Sequence, residues 1–282
     1  MEESIRKADI LVEAIPYIQA FRGKIIVAKY GGSAIDNPSA MRTILQDLIF
    51  LSTVGVRAVL VHGGGPAINR TLSQAGHQSA FIDGLRVTDA ATIRLVNAAL
   101  TAVNRRLVAQ VRALGGHAEG LTSRDRVIAA AAHPRSAELG FVGTVAWVQT
   151  RLIRRVVLRH AIPVISPVGV GNEQRYNING DDVASEVAAS LRAEKLVLLT
   201  NVRGILRHCQ DPSSLMSTVS VKAAKGLVQR GVIDRGMIPK VQACIHALRR
   251  GVKKTHIIDA AVPHAMLLEI FTKQGIGTEI VR

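Results

Sequence analysis

The N-terminal segment carries its apolar residues at the spacing of a helix. The residues that recur on one face are Ala8, Leu11, Ile15 and Ile18. Because most of the nearby charges fall elsewhere on the helical wheel, we predict an amphipathic helix over residues 3–21. Pro16 is expected to bend or break it, since proline cannot donate the hydrogen bond that a helix interior requires.

Beyond this segment, short apolar runs alternate with helical stretches. Residues 24–29 and 56–62 form the first two runs, and each ends in glycines. The other predicted strands are residues 162–166, 195–200, 254–258 and 275–281, and the predicted helices are residues 38–54, 181–192, 221–231 and 240–251. A strand-like run at residues 141–148 falls outside this alternation. We predict that it belongs to a hairpin that covers the ligand-binding site. The alternation predicts an α/β fold with an open, mainly parallel sheet and helices on both faces.

The composition is that of a globular protein with a sizeable core. Of 282 residues, 48% are hydrophobic and 20% are charged, which argues against disorder. No apolar run approaches the ~20 residues that span a bilayer, and the N-terminus mixes charged with apolar residues, unlike a secretory signal. Cys209 and Cys244 form no metal-binding pattern, so we expect reduced thiols and a cytoplasmic protein.

The net charge of +15 is the unusual feature of the composition. Such a charge suits nucleic acid, an anionic membrane or a phosphorylated ligand. The basic residues are scattered, however, and aromatic residues make up only 3% of the chain, which leaves few side chains for base stacking. We therefore expect neither nucleic acid nor a membrane as a partner.

Two predicted strands run into glycines immediately before a helix. In this arrangement, backbone N–H groups and the positive end of the helix can hold phosphate. Both loops would lie at the carboxyl ends of neighbouring parallel strands, where open α/β sheets bind ligands. Tight turns that serve packing alone remain the alternative. The fingerprints Gly-x-x-x-x-Gly-Lys-Ser/Thr and Gly-x-Gly-x-x-Gly are absent from the sequence, so a nucleotide would be held in another way.

Phosphoryl transfer requires positive charge and hydrogen-bond donors around the transferring group. The candidates for that charge are Lys29, Arg86 and Lys240. The guanidinium of Arg86 could form a two-point bond with a substrate carboxylate; a surface ion pair is the alternative. Residues 177–182, Asn-Ile-Asn-Gly-Asp-Asp, place amides and carboxylates at a helix start, where Asp181 or Asp182 could instead be the N-cap.

Six short segments, taken together and in order, carry a family resemblance. They are residues 28–33 (Ala-Lys-Tyr-Gly-Gly-Ser), 61–68 (Val-His-Gly-Gly-Gly-Pro-Ala-Ile), 84–89 (Gly-Leu-Arg-Val-Thr-Asp), 176–181 (Tyr-Asn-Ile-Asn-Gly-Asp), 236–240 (Gly-Met-Ile-Pro-Lys) and 275–278 (Gly-Ile-Gly-Thr). Over essentially its whole length the chain resembles the N-acetylglutamate kinases of the amino acid kinase family, in their arginine-sensitive type with an N-terminal helix.

The resemblance implies a three-layer αβα sandwich. Residues 1–22 would form an oligomerisation helix, residues 23–172 a lobe for the acylated amino acid and for dimerisation, and residues 173–282 a lobe for ATP and arginine. The implied reaction is attack of the side-chain carboxylate of N-acetyl-L-glutamate on the γ-phosphate of ATP, giving N-acetyl-L-glutamyl 5-phosphate in arginine biosynthesis. Mg²⁺ would be bound through the nucleotide phosphates. Such a reaction needs no protein nucleophile, because positioning and electrostatics carry the catalysis.

Individual roles also follow from the resemblance. Lys29 and Lys240 would flank the transferring phosphoryl group, and Asp181 would hold both lysines in place. The implied binding residues are Gly31, Gly32, Gly64 and Gly65 for phosphate and substrate, Arg86 and Asn177 for the carboxylate and acetamide end of the substrate, and Thr200, Asn201, Gly204, Gly236, Met237 and Lys240 for the nucleotide.

The resemblance extends to regulation. N-terminal helices that interlace between dimers imply a hexamer built as a trimer of dimers, with arginine as feedback inhibitor. His264, Glu269 and Gly275 match segments that form the arginine site in those enzymes; a packing pair of His264 and Glu269 is the alternative. A nitrogen-signalling regulator protein is a further candidate partner.

Some positions depart from the usual pattern of the family. Gly180 stands where alanine is common, Asn201 replaces an aspartate on the nucleotide side, and Arg235 occupies a position that is commonly glycine. These departures leave the proposed catalytic lysines in place. They keep two other functions open: a kinase for a related substrate such as N-acetyl-2-aminoadipate, and a non-catalytic arginine-sensing homologue.

Overall fold

The computed structural model describes residues 1–208, 211–234, 236–272 and 275–282. Cys209 and Arg235, which the sequence analysis singled out, lie outside the described residues.

The helices and strands alternate along most of the chain. The helices are α1 (Glu2–Phe21), α2 (Pro38–Thr53), α3 (Gly65–Gln74), α4 (Ala90–Ala113), α5 (Ser136–Leu139), α6 (Thr150–Leu158), α7 (Gly180–Leu191), α8 (Val221–Gln229), α9 (Ile238–Arg249) and α10 (Ala265–Phe271). The strands are β1 (Ile25–Tyr30), β2 (Arg57–His62), β3 (Phe81–Ile82), β4 (Leu85–Arg86), β5 (Ala118–Leu121), β6 (Ile128–Ala132), β7 (Gly143–Val148), β8 (Ile162–Ile165), β9 (Val168–Gly171), β10 (Gln174–Asn177), β11 (Lys195–Thr200), β12 (Thr218–Ser220), β13 (Lys254–Asp259) and β14 (Thr278–Val281).

One eight-stranded sheet organises the molecule. Its strand order is β12-β14-β13-β11-β1-β2-β8-β5, and its neighbouring strands are parallel except for the antiparallel pair β13–β14. Strands β1 and β2, which both end in glycines, are adjacent and parallel near the middle of the sheet. This confirms the predicted fold class and places both glycine loops at one edge.

The core lies on both faces of this sheet. All six residues of β1 are buried, and they point alternately to the two sides. Ile25 and Val27 pack with residues of α7 and α9, whereas Ile26 and Ala28 pack with residues of α2 and α10. A strand covered on both faces needs a continuous apolar run rather than an alternating one, which is why residues 24–29 could be recognised as a buried strand.

A smaller sheet stands beside the main one, with strand order β10-β9-β6-β7. Strand β7 pairs antiparallel with β6, so the strand predicted at residues 141–148 is present from Gly143 onward. The lobe boundary predicted after residue 172 falls in the tight turn between β9 and β10, where Asn172 and Glu173 both have positive φ angles.

Two further predictions differ from the structure. Helix α1 continues through Pro16 to Phe21, so of the two predicted effects of Pro16, a bend or a break, the break is wrong. The last strand begins at Thr278 rather than at Gly275. Among the described helices, none combines the length and the apolar character needed to cross a bilayer.

Candidate active site

The two glycine loops pack directly against each other. A Cβ atom added to Gly31 would lie 3.0 Å from the Cα atom of Gly63, so a side chain there would push the two loops apart by a few tenths of an ångström. The Gly63 N–H group donates a hydrogen bond of 2.7 Å to the Tyr30 carbonyl oxygen and so extends the pairing of β1 with β2. Packing therefore explains part of the glycine content, and the same close approach brings both loops to one place.

Three helices begin at this edge of the sheet. Helix α3 begins at Gly65, directly after the second loop, and α7 begins at Gly180. The N-cap of α7 is Asn179, whose Oδ1 atom accepts a 2.7 Å hydrogen bond from the Asp181 N–H group, so the alternative in which Asp181 or Asp182 is the cap is wrong. Helix α9 begins at Ile238, which places Lys240 in its first turn. The N-terminal ends of helices favour bound anions.

Lys29, Asp181 and Lys240 form one ionic cluster. The Lys29 Nζ atom lies 2.9 Å from Asp181 Oδ1, and the Lys240 Nζ atom lies 2.9 Å from Asp181 Oδ2. Only about 5% of the Asp181 side chain is exposed, against 10% for Lys29 and 21% for Lys240. Burial works to raise the pKa of Asp181, but the attraction of the two ammonium groups outweighs it and lowers the pKa to about 2. The carboxylate therefore stays ionised and holds two positive charges side by side.

Gly180 adjoins this cluster. A Cβ atom at position 180 would lie 3.3 Å from Lys29 Cε, closer than an ordinary contact. Alanine at this position would therefore press Lys29 aside by a few tenths of an ångström. Glycine at position 180 therefore gives Lys29 slightly more room than alanine would.

Arg86 is carried by the hairpin of β3 and β4, and its exposure is only 7%. The surface ion-pair interpretation is therefore wrong. Its Nη1 atom donates to Ser79 Oγ, and its Nη2 atom donates to Asn69 Oδ1 at 2.6 Å. The guanidinium also lies 4.6 Å from the centre of the Phe81 ring. Burial lowers the pKa of Arg86. A guanidinium carries five N–H groups, so these two contacts leave donors for a ligand.

Asn177 is linked to the backbone of Arg86 through the hydroxyl group of Thr88. Its Nδ2 atom lies 3.4 Å from Thr88 Oγ1, and that hydroxyl donates a 2.7 Å hydrogen bond to the Arg86 carbonyl oxygen. Thr88 is completely buried. It therefore fixes the backbone that carries the arginine relative to the strand that carries the amide.

These residues surround one cavity of about 260 Å³. The predicted site residues that line it are Lys29, Gly32, Gly64, Gly65, Arg86, Asn177, Asp181 and Lys240, and the apolar lining is Ile68, Phe81, Leu85, Leu100, Val142, Pro167 and Ile178. Asp181 is the one acidic side chain among the described lining residues. The cavity thus combines a positively charged end with a mixed polar and apolar wall.

A larger cavity of about 600 Å³ lies elsewhere, among α7, α8, α9 and β7. It is lined by Asp182, Glu186, His246 and Arg249 together with apolar residues. Burial, with a smaller contribution from the charge of Asp181, raises the pKa of Asp182 to about 6. Of the predicted site residues described by the structure, none lines this larger cavity, so its size does not make it the centre of the chemistry.

Of the predicted nucleotide-binding residues, Lys240 is the one that belongs to the described lining of the 260 Å³ cavity. Thr200 ends β11, and its hydroxyl donates to Asn201 Oδ1 at 3.3 Å. Met237 caps α9, and its N–H group donates to Asp234 Oδ1 at 2.8 Å, next to Gly236. Gly204 has a packing reason, since a Cβ atom there would lie 2.5 Å from Thr278 Oγ1.

The residues predicted to bind arginine do not form one cluster. The His264 Nδ1 atom lies 2.6 Å from Asp47 Oδ1, so a packing pair of His264 with Glu269 is not what the structure contains. Glu269 contacts His256 instead, with 2.7 Å between Oε1 and Nδ1. Gly275 does adjoin Glu269: its φ angle is +61°, and a Cβ atom there would lie 2.8 Å from Glu269 Oε2.

The Glu269 carboxylate is enclosed by donors. Besides the contact with His256, its Oε2 atom accepts hydrogen bonds from the N–H groups of Ile276 at 2.7 Å and Gly277 at 3.1 Å. Burial works against ionisation, but these partners, led by His256, lower the pKa of Glu269 overall. Sequence reasoning missed His256, and the signal that could have found it is a histidine inside a buried strand next to the helix that carries Glu269.

The sequence is similar to those of known amino acid kinases. The model of the amino acid kinase family matches residues 24–259. The acetylglutamate kinase of Syntrophomonas wolfei is 47% identical over 282 residues, which cover 99% of this chain and 98% of that protein. The acetylglutamate kinase of Desulforamulus reducens is 46% identical over 285 residues, with 100% and 99% covered.

A solved structure shares the fold. The N-acetylglutamate synthase from Neisseria gonorrhoeae, complexed with coenzyme A and N-acetyl-glutamate, is 27% identical with a TM-score of 0.85, over 96% of this chain and 62% of the synthase. The same synthase complexed with coenzyme A and L-arginine has a TM-score of 0.82 at 26% identity, over 95% of this chain and 64% of the synthase. Given the family match over residues 24–259 and full-length relatives at 46–47% identity, the chain belongs to the amino acid kinase family.

Proposed function

We propose that the protein is an ATP-dependent kinase that phosphorylates the side-chain carboxylate of N-acetyl-L-glutamate, in the cytoplasm, as a step of arginine biosynthesis. The observation that carries this proposal is the pair of lysines bound to one buried carboxylate, each at 2.9 Å, at the end of a cavity that also contains Arg86. The full-length relatives named acetylglutamate kinase support the choice of substrate.

The proposed step is an in-line displacement. An oxygen of the substrate carboxylate attacks the γ-phosphorus of ATP, and the bond to the β,γ-bridging oxygen breaks, which yields an acyl phosphate and ADP. A glutamate-like carboxyl group has a pKa of about 4.3, so the nucleophile is already ionised at neutral pH and needs no general base. The protein has to bring two negatively charged reactants together and to neutralise charge on the transferring group.

The residues of the cavity divide this work. Lys29 and Lys240 place positive charge on either side of the Asp181 carboxylate, and Gly64 and Gly65 present backbone N–H groups where α3 begins. Arg86 would take the α-carboxylate of the substrate, with Asn177 at its acetamide end. In this proposal residues 23–172 hold the acylated amino acid and residues 173–282 hold ATP.

Mg²⁺ would reach the site with the nucleotide. Among the described residues, no group of three or more His, Cys, Asp and Glu side chains is arranged to hold a metal ion, and both oxygens of Asp181 already face lysines. Phosphate oxygens are suitable ligands for Mg²⁺. The ion would then supply charge neutralisation on the phosphates, while the protein orients the reactants.

The direct test is trapping of the acyl phosphate. The purified protein is incubated with N-acetyl-L-glutamate, ATP, Mg²⁺ and hydroxylamine, and the hydroxamate is measured against reactions that lack ATP or protein. ATP-dependent hydroxamate formation is the expected result. A parallel reaction with N-acetyl-2-aminoadipate decides the substrate, because one methylene in a fitted pocket changes the binding free energy by about 1–3 kcal/mol. No hydroxamate from either substrate would overturn the kinase proposal and favour a non-catalytic arginine sensor.

Replacing Arg86 with lysine is expected to raise the KM for N-acetyl-L-glutamate about tenfold or more and to change the KM for ATP little. Lysine cannot reproduce the forked bond to a carboxylate, and a hydrogen bond to a charged group contributes about 1.5–3 kcal/mol. Steady-state kinetics with each substrate varied measures both constants.

The control for this variant is Arg70→Lys. Arg70 lies on the neighbouring helix α3 and forms an exposed ion pair with Asp36, so its replacement should change neither KM. An unchanged KM for N-acetyl-L-glutamate in Arg86→Lys would remove Arg86 from the substrate site.

Arginine inhibition of a hexamer is a further part of the proposal. Ile10, Leu11 and Val12 of helix α1 are 57%, 67% and 62% exposed, and a neighbouring subunit is the simplest way to cover them. The end of the helix packs within its own chain, since the Tyr17 and Phe21 rings lie 6.0 and 6.4 Å from the Phe271 ring of α10. The exposed apolar surface therefore belongs to the first three-quarters of α1, and not to Phe21.

A chain of contacts joins this helix to Glu269. The Lys195 Nζ atom lies 5.3 Å from the centre of the Phe21 ring and 3.3 Å from His256 Nε2, and His256 Nδ1 lies 2.7 Å from Glu269 Oε1. Arginine bound at Glu269 would bring a cation that competes with His256 for the carboxylate, and it would so alter this series of contacts. A ligand shifts a conformational equilibrium only through different affinities for the two states, and in this proposal a change in these contacts would provide the difference. The complex of the Neisseria synthase with L-arginine supports arginine as the ligand.

Deletion of residues 2–20 is expected to convert the hexamer into dimers and to remove most of the arginine response, while basal turnover remains. In Glu269→Gln, a neutral amide replaces the charge at nearly the same volume, so the half-inhibitory arginine concentration should rise about tenfold or more. Size-exclusion chromatography with light scattering and rate measurements across an arginine titration provide the readouts. An intact protein that is dimeric and insensitive to saturating arginine would contradict the regulatory proposal and leave the kinase proposal standing.

A further inference from the structure

His62 lies directly beneath the second glycine loop, yet it does not line the cavity. Its side chain is completely buried. Burial lowers its pKa to about 4, so the ring is neutral at physiological pH. Its Nδ1 atom lies 2.8 Å from the Gly63 carbonyl oxygen, and its Nε2 atom lies 3.1 Å from Asn104 Nδ2. The phosphoryl transfer proposed above assigns no role to this buried, neutral imidazole.

The neighbours of Asn104 determine which ring nitrogen carries the proton. The Asn104 Nδ2 atom also donates a 2.7 Å hydrogen bond to the Val164 carbonyl oxygen. Since a carbonyl oxygen can only accept, the amide must direct its NH₂ group toward Val164 and His62. Nε2 of the ring therefore accepts a hydrogen bond, and in a neutral imidazole the proton must then sit on Nδ1. Nδ1–H in turn donates to the Gly63 carbonyl.

This hydrogen bond orients one peptide plane. In a trans peptide the carbonyl of Gly63 and the N–H group of Gly64 point in opposite directions. Holding the carbonyl toward the buried His62 ring turns the Gly64 N–H away from it, and Gly64 lines the cavity. Glycines adopt many backbone conformations, so the run Gly63-Gly64-Gly65 needs such a constraint to keep one N–H direction.

We propose that His62, locked in its Nδ1–H tautomer by Asn104, is a positioning residue that turns the Gly64 N–H into the cavity to donate to the transferring phosphoryl group. The inference rests on the proposed kinase function for the identity of the acceptor. It assigns His62 no proton transfer. Its effect is on the orientation of a donor in the transition state, where preorganised donors contribute most.

Three variants test the hydrogen bond. His62→Leu removes the donor, and its kcat is expected to fall roughly tenfold to a hundredfold with little change in either KM. His62→Asn can place an amide N–H near the position of Nδ1, and its kcat should recover to within a few fold of the parent. Asn104→Leu frees Nε2 from its donor and should lower kcat as well. Asn97→Leu is the matched control, because Asn97 lies two turns earlier on α4 and hydrogen-bonds to Ser123 instead.

Two further readouts separate positioning from other roles. The pH–rate profiles of the parent and of His62→Asn should coincide; loss of a limb in the variant would mean that His62 transfers protons. Nitrogen-15 NMR of the histidine-labelled parent should show that the His62 ring is protonated at Nδ1 and does not titrate between pH 6 and 9. A protonated Nε2, or equal kcat in His62→Leu and His62→Asn, would overturn the inference. The NMR result does not depend on turnover, so failure of the kinase proposal would remain distinguishable.

Discussion

Lys240→Ala is expected to lower kcat by about a hundredfold or more while the protein stays folded. The ammonium group of Lys240 lies 2.9 Å from Asp181 and remains partly exposed to the cavity, so it can meet the oxygens of a transferring phosphoryl group. Removal of one such donor from a preorganised site costs about 3–4 kcal/mol of transition-state stabilisation. Lys29→Ala should behave in the same way. Steady-state kinetics, together with thermal unfolding of each variant, measures the effect.

The single variants should fold because Asp181 keeps one lysine in each case. The double variant Lys29→Ala/Lys240→Ala would leave a buried carboxylate without a counter-charge, which typically costs about 3–5 kcal/mol, so we expect a clear drop in its unfolding temperature. Lys253→Ala is the control, since Lys253 forms an exposed pair with Glu194. A kcat close to that of the parent in Lys240→Ala would remove this lysine from the proposed mechanism.

The arrangement of the loops could be predicted from the sequence because two strong rules act together. Buried parallel strands appear as continuous apolar runs, and glycines that follow such runs mark loops at the carboxyl edge of the sheet. The structure confirms that β1 and β2 are adjacent and parallel, and it brings Lys29 and Arg86 to the same cavity. Both rules depend on the order of apolar residues and glycines along the chain, which can be read directly from the sequence.

Side-chain partners were harder to predict, because they depend on which elements meet. In residues 177–182 every side chain but one can cap a helix, and only the start of α7 at Gly180 makes Asn179 the cap. Glu269 faces His256 rather than His264 because β13 and α10 return alongside each other. The sequence pattern could not show which of the possible caps, or which of the possible partners of Glu269, would be used. Each candidate has a side chain of the right type at a suitable position in the sequence.

The hydrogen bonds of Arg86 show the same limit. Its partners are Asn69 on α3 and Ser79 on the loop that follows, at distances along the chain that follow no period. Helix α1 is unbroken at Pro16 for a related reason. Proline removes one hydrogen bond from a helix, and the packing of Tyr17 and Phe21 on α10 holds the turns beyond it.

Asp181→Asn should lower kcat by about a hundredfold or more without raising the KM for ATP. The substitution keeps the shape of the side chain, but it removes the counter-charge that holds Lys29 and Lys240 at 2.9 Å each. In the free variant the two ammonium groups repel each other. Nucleotide phosphates then supply the missing negative charge, so we expect ATP to bind at least as tightly as in the parent. The lysines would no longer be held in the geometry that the transition state requires.

The same substitution has a stability signature that depends on pH. The folded-state pKa of Asp181 is about 2 against the ordinary 3.8, which corresponds to about 2 kcal/mol of stability at neutral pH. Because the pKa is depressed, this contribution is present above about pH 4 and is lost as the pH falls toward about 2. Asp181→Asn lacks it, so its unfolding temperature should be lower at neutral pH, and a non-hydrolysable ATP analogue should raise that temperature more than in the parent. Asp182→Asn is the control, since that side chain faces the other cavity and should leave kcat near the parental value. A raised KM for ATP together with parental kcat in Asp181→Asn would mean that the carboxylate serves nucleotide binding and does not hold the lysines for catalysis.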